Sequence, residues 1–203
     1  MAQPIRHQIV AATNNAHKLS EIRPLIEPDF HILSLQDIGC YQELPETHET
    51  LEENSFEKAA YVLKHFNLPC FADDTGLEVD ALDGAPGVYS ARYAGKQKSS
   101  EDNIRLLLEN LSGRTDRKAR FRTVITLLGL EGVQYFEGIV NGTILEDKRG
   151  SAGFGYDPVF QPDGYRKTMA EMTMEEKNLI SHRALAVGKL VHYLQQHFKK
   201  ASE

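Results

Sequence analysis

The sequence predicts an α/β fold, and three observations carry that expectation. Near the N-terminus a short apolar run, a helical pattern and a second apolar run follow one another, the order of a parallel strand pair with a crossover helix. Further on, two alternating stretches rich in β-branched and aromatic residues flank a Gly-containing turn, as in an antiparallel hairpin. Between and after them lie segments with apolar residues at helical spacing.

Gln8 to Ala12 is the first expected strand. Thr13-Asn14-Asn15 breaks it, and His17 to Ile26 follows as a helix with Leu19, Ile22 and Ile26 on one face. Thr13 to Lys18 is therefore a strand-to-helix turn. Backbone N–H groups at a helix start attract anions, and Lys18 adds a positive charge, although Thr and Asn are also ordinary caps. The turn lacks the Gly spacing and Lys-Ser/Thr pair of a P-loop. Phe30 to Leu35 is the second expected strand.

Thr50-Leu51-Glu52-Glu53 fits a capping box, so a helix is expected from Leu51 to Phe66 with Phe56, Ala59, Ala60 and Leu63 inward. Cys70 to Ala72 then reads as a short strand ending at the carboxylate pair Asp73-Asp74. Carboxylates beyond a buried strand end sit where open α/β sheets place their chemistry, and hard oxygen ligands suit Mg²⁺. A solvated acidic turn is the bland alternative. Ser99 to Leu111 is the next helix, with Ile104, Leu107, Leu108 and Leu111 as core.

Ala119 to Leu128 and Gln134 to Val140 form the expected hairpin, with Arg120 and Arg122 toward solvent. Gly150 to Phe160 is a Gly-rich loop holding Phe154, Tyr156 and Asp157; it is either a site for a flat base or a turn packed by its own aromatics. Thr168 to Lys177 is helix-prone. Ser181 is placed to cap a last helix from Ala184 to Phe198, with Leu185, Val187, Gly188, Val191 and Leu194 inward. His182 and Arg183 at its start, with Lys177, make a compact cationic group; a plain solvated helix end has the same composition. Met169, Met172 and Met174 read as core.

The 203 residues suffice for one domain spanning 1–203, with room for two lobes. A hydrophobic fraction of 41% and a charged fraction of 26% are those of a soluble globular protein. The formal charge of −6 argues against nucleic-acid polymers as partners, though not against a small anionic substrate. The two cysteines, Cys40 and Cys70, form neither a disulfide framework nor a metal-ligand pattern. Residues 1–7 lack a signal-peptide core, and no apolar run reaches the ~18 residues of a membrane span. A cytoplasmic protein with no membrane partner is expected, with a tail from Lys199 that frays.

Four blocks together resemble one family. They are Ala12 to Lys18 with Glu21; Ala72 to Leu77 running on through Gly84 to Gly95; Gly153 to Phe160; and Glu176-Lys177 with Ser181 to Arg183. In this order they are similar to the inosine triphosphate pyrophosphatases, or Ham1-like family. The resemblance implies an elongated long mixed β-sheet flanked by helices, with two lobes around a central cleft, and usually a homodimer. It implies Mg²⁺-dependent hydrolysis of non-canonical purine triphosphates such as ITP, dITP and XTP to the monophosphate and pyrophosphate, cleansing the nucleotide pool.

By the same resemblance Asp74 is the catalytic carboxylate and a Mg²⁺ ligand, and Asp73 its structural partner. The substrate-binding residues are Thr13, Asn14, Asn15, Ala16, His17, Lys18, Thr75, Phe154, Gly155, Tyr156, Asp157, Lys177, His182 and Arg183. Lys18 falls on the phosphates and Phe154 on the purine, and Lys177, His182 and Arg183 are further substrate contacts. As donors to the purine 6-oxo edge, His182 and Arg183 are expected on physical grounds, because a site built to hydrogen-bond that edge leaves buried groups unpaired with adenine. Glu46 is the second metal-associated carboxylate; relatives carry Glu-Glu-Thr-Gly where this chain has Pro45-Glu46-Thr47-His48, so Glu49, Glu52 and Glu53 compete for that place. Two other functions fit the chain less well: a related hydrolase of modified pyrimidine nucleotides, and a regulator that binds nucleotides without cleaving them.

Overall fold

A computed structural model describes residues 7–27 and 29–200, and the side chains up to residue 198. The sequence reading of residues 1–6 and of the tail beyond 200 lies outside the described residues. In chain order the elements are β1 (Gln8–Ala11), α1 (Ala16–Ile26), β2 (His31–Leu33), α2 (Leu51–Phe66), β3 (Cys70–Val79), β4 (Pro86–Gly87), α3 (Ser100–Asn110), β5 (Lys118–Leu130), β6 (Gly132–Ile144), β7 (Phe160–Pro162), α4 (Met174–Ile180) and α5 (His182–Lys200). Short 3-10 turns occupy Asp80–Leu82, Ser90–Arg92 and Met169–Glu171.

The sheet is mixed, in the order β2-β1-β3-β5-β6-β7, with β4 paired to β3. β1 runs parallel to both β2 and β3, in the registers Ile9 to Ile32 and Ala11 to Phe71. β4 is antiparallel to β3, and β7 to β6. Only Glu131 separates β5 from β6, a connection too short for anything but a hairpin. The α/β class holds, and the strand–helix–strand start forms the expected parallel pair.

The chain divides into two compact units. The first comprises Met1–Asp74, Val124–Glu137 and Arg183–Glu203; the second comprises Thr75–Thr123 and Gly138–His182. The first has two apolar cores. One gathers Ile9, Ile22, Ile26, Phe71, Ile125 and Leu190, and the other Val10, Cys40, Ala59, Val62, Cys70 and Leu128. The second unit is built around Leu77, Leu107, Phe121, Ile144, Phe160 and Met169.

Several elements differ from expectation for identifiable reasons. β3 does not stop at Ala72 but continues to Val79, so Asp73 and Asp74 lie within the strand rather than beyond its end. Successive strand residues face opposite ways, which sends the two carboxylates to different partners. α2 keeps its expected bounds and its Thr50 cap, but its buried face is Leu51, Asn54, Ser55, Lys58, Ala59 and Val62, and Phe56 is exposed. The polar members of that face are satisfied internally: the Ser55 hydroxyl lies 2.7 Å from that of Thr126. In α5, likewise, Ala186, Val187, Leu190 and Leu194 are buried while Leu185 is exposed. The helix-prone stretch from Thr168 is cut in two because Thr168 and Thr173 each form a capping box, with Glu171 and Glu176. Met169 and Met172 are core as expected, but Met174 is exposed.

Candidate active site

Residues of the first unit form a buried polar cluster on the carboxylate pair. Asn15 opens α1: its side-chain oxygen accepts from the backbone N–H of His17 (2.9 Å) and Lys18 (3.1 Å). Asn14 holds the neighbouring segment by donating to the Gln42 carbonyl and accepting from the Leu44 N–H. The Thr13 hydroxyl accepts from the Asn15 N–H at 3.2 Å. Thr13 to His17 thus form the expected turn, with Asn14 to His17 open to solvent. Lys18, one turn into the helix, reaches Asp73 Oδ2 at 2.9 Å.

Asp73 is shared. Its Oδ2 faces Lys18 and also Arg183 Nε at 3.5 Å, and the Arg183 guanidinium is bound on its other side by Glu21. Burial alone would raise the Asp73 pKa, but Lys18, Arg183 and Lys58 together hold its carboxyl well below the usual range.

Asp74 has the opposite environment. Its Oδ1 is 3.2 Å from Lys58 Nζ, which also donates to Glu46 Oε1 and to the Asp73 carbonyl, each at 2.7 Å. Burial pushes the Asp74 pKa up, with Glu46 and Asp73 adding to the rise and Lys58 and Lys18 opposing it. Glu46 is held low despite its burial, chiefly by Lys58. Lys58 in turn stays firmly cationic: burial opposes this, but Asp74, Glu46 and Asp73 prevail. The two adjacent carboxylates are thus pushed in opposite directions, Asp73 toward its anion and Asp74 toward its protonated form.

Of the acidic residues competing for the second metal position, Glu46 meets Lys58, which also contacts Asp74. Glu49 is exposed, and Glu53 accepts the Thr50 hydroxyl at 2.8 Å in the α2 cap. Glu46 and Asp74 both present oxygen to a single cationic centre, the donor type that Mg²⁺ takes in ones and twos alongside water and phosphate oxygens. Among the described residues no group of three or more His, Cys, Asp or Glu side chains is able to hold a metal by itself.

Residues of the second unit form another group. The Thr75 hydroxyl lies 2.7 Å from that of buried Thr123. In the Gly-rich loop Asp157 is the organiser: its Oδ2 accepts from the Phe154 N–H at 3.0 Å and from Lys177 Nζ at 2.9 Å. Gly153, at φ +78°, leaves room for that carboxylate, which a Cβ there would strike. Gly155 also adopts a positive φ, +61°. Lys177 Nζ stands 5.8 Å from the Phe154 ring centroid, a cation–π contact. Tyr156 is buried, while Phe154 keeps part of its surface open. His182 stacks on Phe121 with ring centroids 4.6 Å apart and planes 17° apart.

Of the expected cationic group, Lys177 contacts Asp157, His182 stacks on Phe121, and Arg183 contacts Asp73 and Glu21. Lys177 and His182 belong to the second unit and Arg183 to the first. None of the three is a solvated helix end; all are buried. Sequence reasoning missed Lys58: of the expected inward residues of α2, Ala59, Ala60 and Leu63 do pack against the core and only Phe56 is exposed, but the buried face extends round to Lys58. The signal that finds it is the series Leu51, Ser55, Lys58, Val62, whose two ends are apolar. Glu21 belonged to a motif without a role, and the Arg183 contact supplies one.

Residues 9–193 match the Ham1 family. This chain belongs to the Ham1 family. Similar curated proteins are the dITP/XTP pyrophosphatases of Porphyromonas gingivalis, 55% identical over 92% of this chain and 97% of the relative, and of Flavobacterium johnsoniae, 52% identical over the same shares. Among solved structures, the Staphylococcus aureus Ham1 protein superposes with a TM-score of 0.85 at 42% identity, covering 93% of this chain and 98% of that one. A Ham1 protein from Coxiella burnetii gives 0.86 at 36% identity, covering 94% and 99%. The Ham1 fold seen in these structures is the α/β, mixed-sheet arrangement described above.

Proposed function

We propose that this Ham1-family protein is a Mg²⁺-dependent nucleoside-triphosphate pyrophosphatase acting on deaminated purine nucleotides (dITP, XTP and ITP), which it converts to the monophosphate and pyrophosphate. The relatives' activity motivates the reaction class. The observation that carries the residue assignment is the divided carboxylate pair: Asp73 locked as an anion between Lys18 and Arg183, and Asp74 with its proton affinity raised.

Cleavage between the α- and β-phosphates spreads negative charge, so positioning and electrostatics dominate catalysis. Lys18 and Lys58 supply fixed positive charge for phosphate oxygens. Asp74 accepts the proton of the attacking water at a carboxylate oxygen; its raised pKa makes it a better base than an ordinary aspartate. Asp73 keeps Lys18 and Arg183 in place. Glu46 and Asp74 are the residues that would hold Mg²⁺, which when bound neutralises phosphate charge and polarises the phosphorus. The turn of Thr13 to His17, exposed from Asn14 on, is assigned to the triphosphate, and Thr75 offers it a hydroxyl. Phe154 is assigned to stack on the purine, inside the loop of Gly155, Tyr156 and Asp157 braced by Lys177. His182 and Arg183 are assigned as donors to the 6-oxo group; adenine, bearing a 6-amino group, leaves such donors unpaired. The reading extends to a homodimer working in the cytoplasm. Among the described residues no helix is long and apolar enough to cross a membrane.

Hydrolysis of dITP in ¹⁸O-labelled water tests the reaction. Label in the monophosphate, with unlabelled pyrophosphate, is the expected result; orthophosphate as the first product overturns the reading.

A further inference from the structure

The block from Gly84 to Gly95 is part of the family motif, yet none of its residues has a role in the site above. One buried polar side chain bonds to it at three points. Asn103, in α3 and only 4% exposed, lies beside the core residues Ile104 and Leu107. Its amide Nδ2 donates to the Ser90 carbonyl at 3.3 Å and to the Ala91 carbonyl at 3.1 Å, and its Oδ1 accepts from the Ala94 N–H at 2.7 Å. The 3-10 turn of Ser90–Arg92 has no side-chain cap of its own. The Ser90 hydroxyl fastens its near end, accepting from the Leu77 N–H and donating to the Gly87 carbonyl.

The same Ser90 carbonyl receives a second donor. The hydroxyl of Tyr156, 3% exposed, donates to it at 2.9 Å. Tyr156 lies between Phe154 and Asp157, so two side chains of the Gly153 to Asp157 loop anchor it, Asp157 on Lys177 and the Phe154 N–H and Tyr156 on Ser90. We propose that Asn103 is a positioning residue for this loop, fixing the Ser90 carbonyl on which the Tyr156 hydroxyl seats, and so sets how well Phe154 receives a base. The proposal rests on the reading of this loop as the base pocket. A satisfied core amide that serves only packing is the competing account. It leaves unexplained why all three Asn103 bonds end on the short stretch that accepts Tyr156.

The test uses Tyr156→Phe, which removes one hydroxyl, and Asn103→Ala, with KM and kcat for dITP measured beside thermal melting. Competitive inhibition by ribose 5′-triphosphate, which has no base, is the control. Loss of one such hydrogen bond corresponds to about a five- to tenfold rise in KM, with kcat within about twofold and ribose 5′-triphosphate inhibition almost unmoved. Because both side chains act on one carbonyl, the double variant is expected to raise KM by less than the product of the single effects. An unchanged KM in Tyr156→Phe overturns the proposal, as does equal weakening of dITP and ribose 5′-triphosphate, or strict multiplication in the double variant. If Asn103→Ala does not fold, Asn103→Asp, which keeps the acceptor for the Ala94 N–H and loses the donor to the Ser90 carbonyl, is read by the same KM and ribose 5′-triphosphate criteria. Wild-type protein that releases no pyrophosphate from dITP overturns the functional reading itself, an outcome distinct from active wild type with indifferent variants.

Discussion

Replacing Lys58 by Met keeps the length of the side chain and removes its charge. Lys58 is 5% and Asp74 10% exposed at the side chain, so solvent screens their interaction poorly. At 3.2 Å and an effective dielectric near 20, a unit pair is worth about 5 kcal/mol. Breaking a buried pair from one side costs about 3–5 kcal/mol. The Asp74 pKa, already raised, rises further without Lys58, and each ~1.4 kcal/mol is tenfold in the protonation equilibrium. Lys58→Met is therefore expected to lower kcat/KM at neutral pH by at least ~100-fold, with partial recovery as the pH is raised and Asp74 ionises. The sign for stability follows from the same shift. A carboxyl that binds its proton more tightly when folded stabilises the fold at low pH, and that contribution is lost as pH rises. The melting temperature of the variant should fall further below wild type as pH rises above the unfolded-state value near ~4. The pH profile of kcat/KM and thermal melting across that range are the assays. A uniform loss of activity with no alkaline recovery refutes the argument that Lys58 governs the proton on Asp74.

Asp73→Asn acts in the other direction. The Asp73 pKa is depressed, so its stabilisation is full above the unfolded-state value near 4 and is lost as pH falls through the lower folded value. The variant should be about 3–5 kcal/mol less stable at pH 7, with the gap to wild type closing under strong acid in denaturant titrations. Gly153→Ala places a methyl against the Asp157 carboxylate at a positive φ, and should raise KM for dITP roughly tenfold through loss of the Phe154 and Lys177 contacts. Cys70 is buried, donates to the Ala59 carbonyl, and has its pKa pushed up to about 12 by burial. Native protein at pH 8 should leave it unalkylated by iodoacetamide, and mass spectrometry should find modification only after denaturation.

Much of this was legible in the sequence because the decisive signals are local. Asn15 at a helix start, Thr50 ahead of Glu53, and Gly153 beside Asp157 each announce a backbone conformation. The bounds of α2 followed from its cap and from Asn67-Leu68-Pro69. What escaped depends on tertiary contacts. Asp73 and Asp74 look like the end of a strand because acidic pairs are rare inside one; three cations from α1, α2 and α5 make them tolerable there. Lys58 looks solvent-facing because a buried lysine is expensive unless paired, and its partners are far away in sequence. Likewise Asn103 is an unremarkable helix residue until the turn it holds is seen. The different partners of His182 and Arg183, Phe121 for one and Glu21 with Asp73 for the other, have no sequence signature.

The central claim is best tested by pyrophosphate release from dITP, XTP, ATP and dTTP, with Mg²⁺ and with EDTA, for wild type and Asp74→Asn. The account predicts Mg²⁺-dependent release from dITP and XTP far above ATP and dTTP, and its loss in the variant. Equal turnover of all four nucleotides, turnover undiminished by EDTA, or an active Asp74→Asn would contradict it.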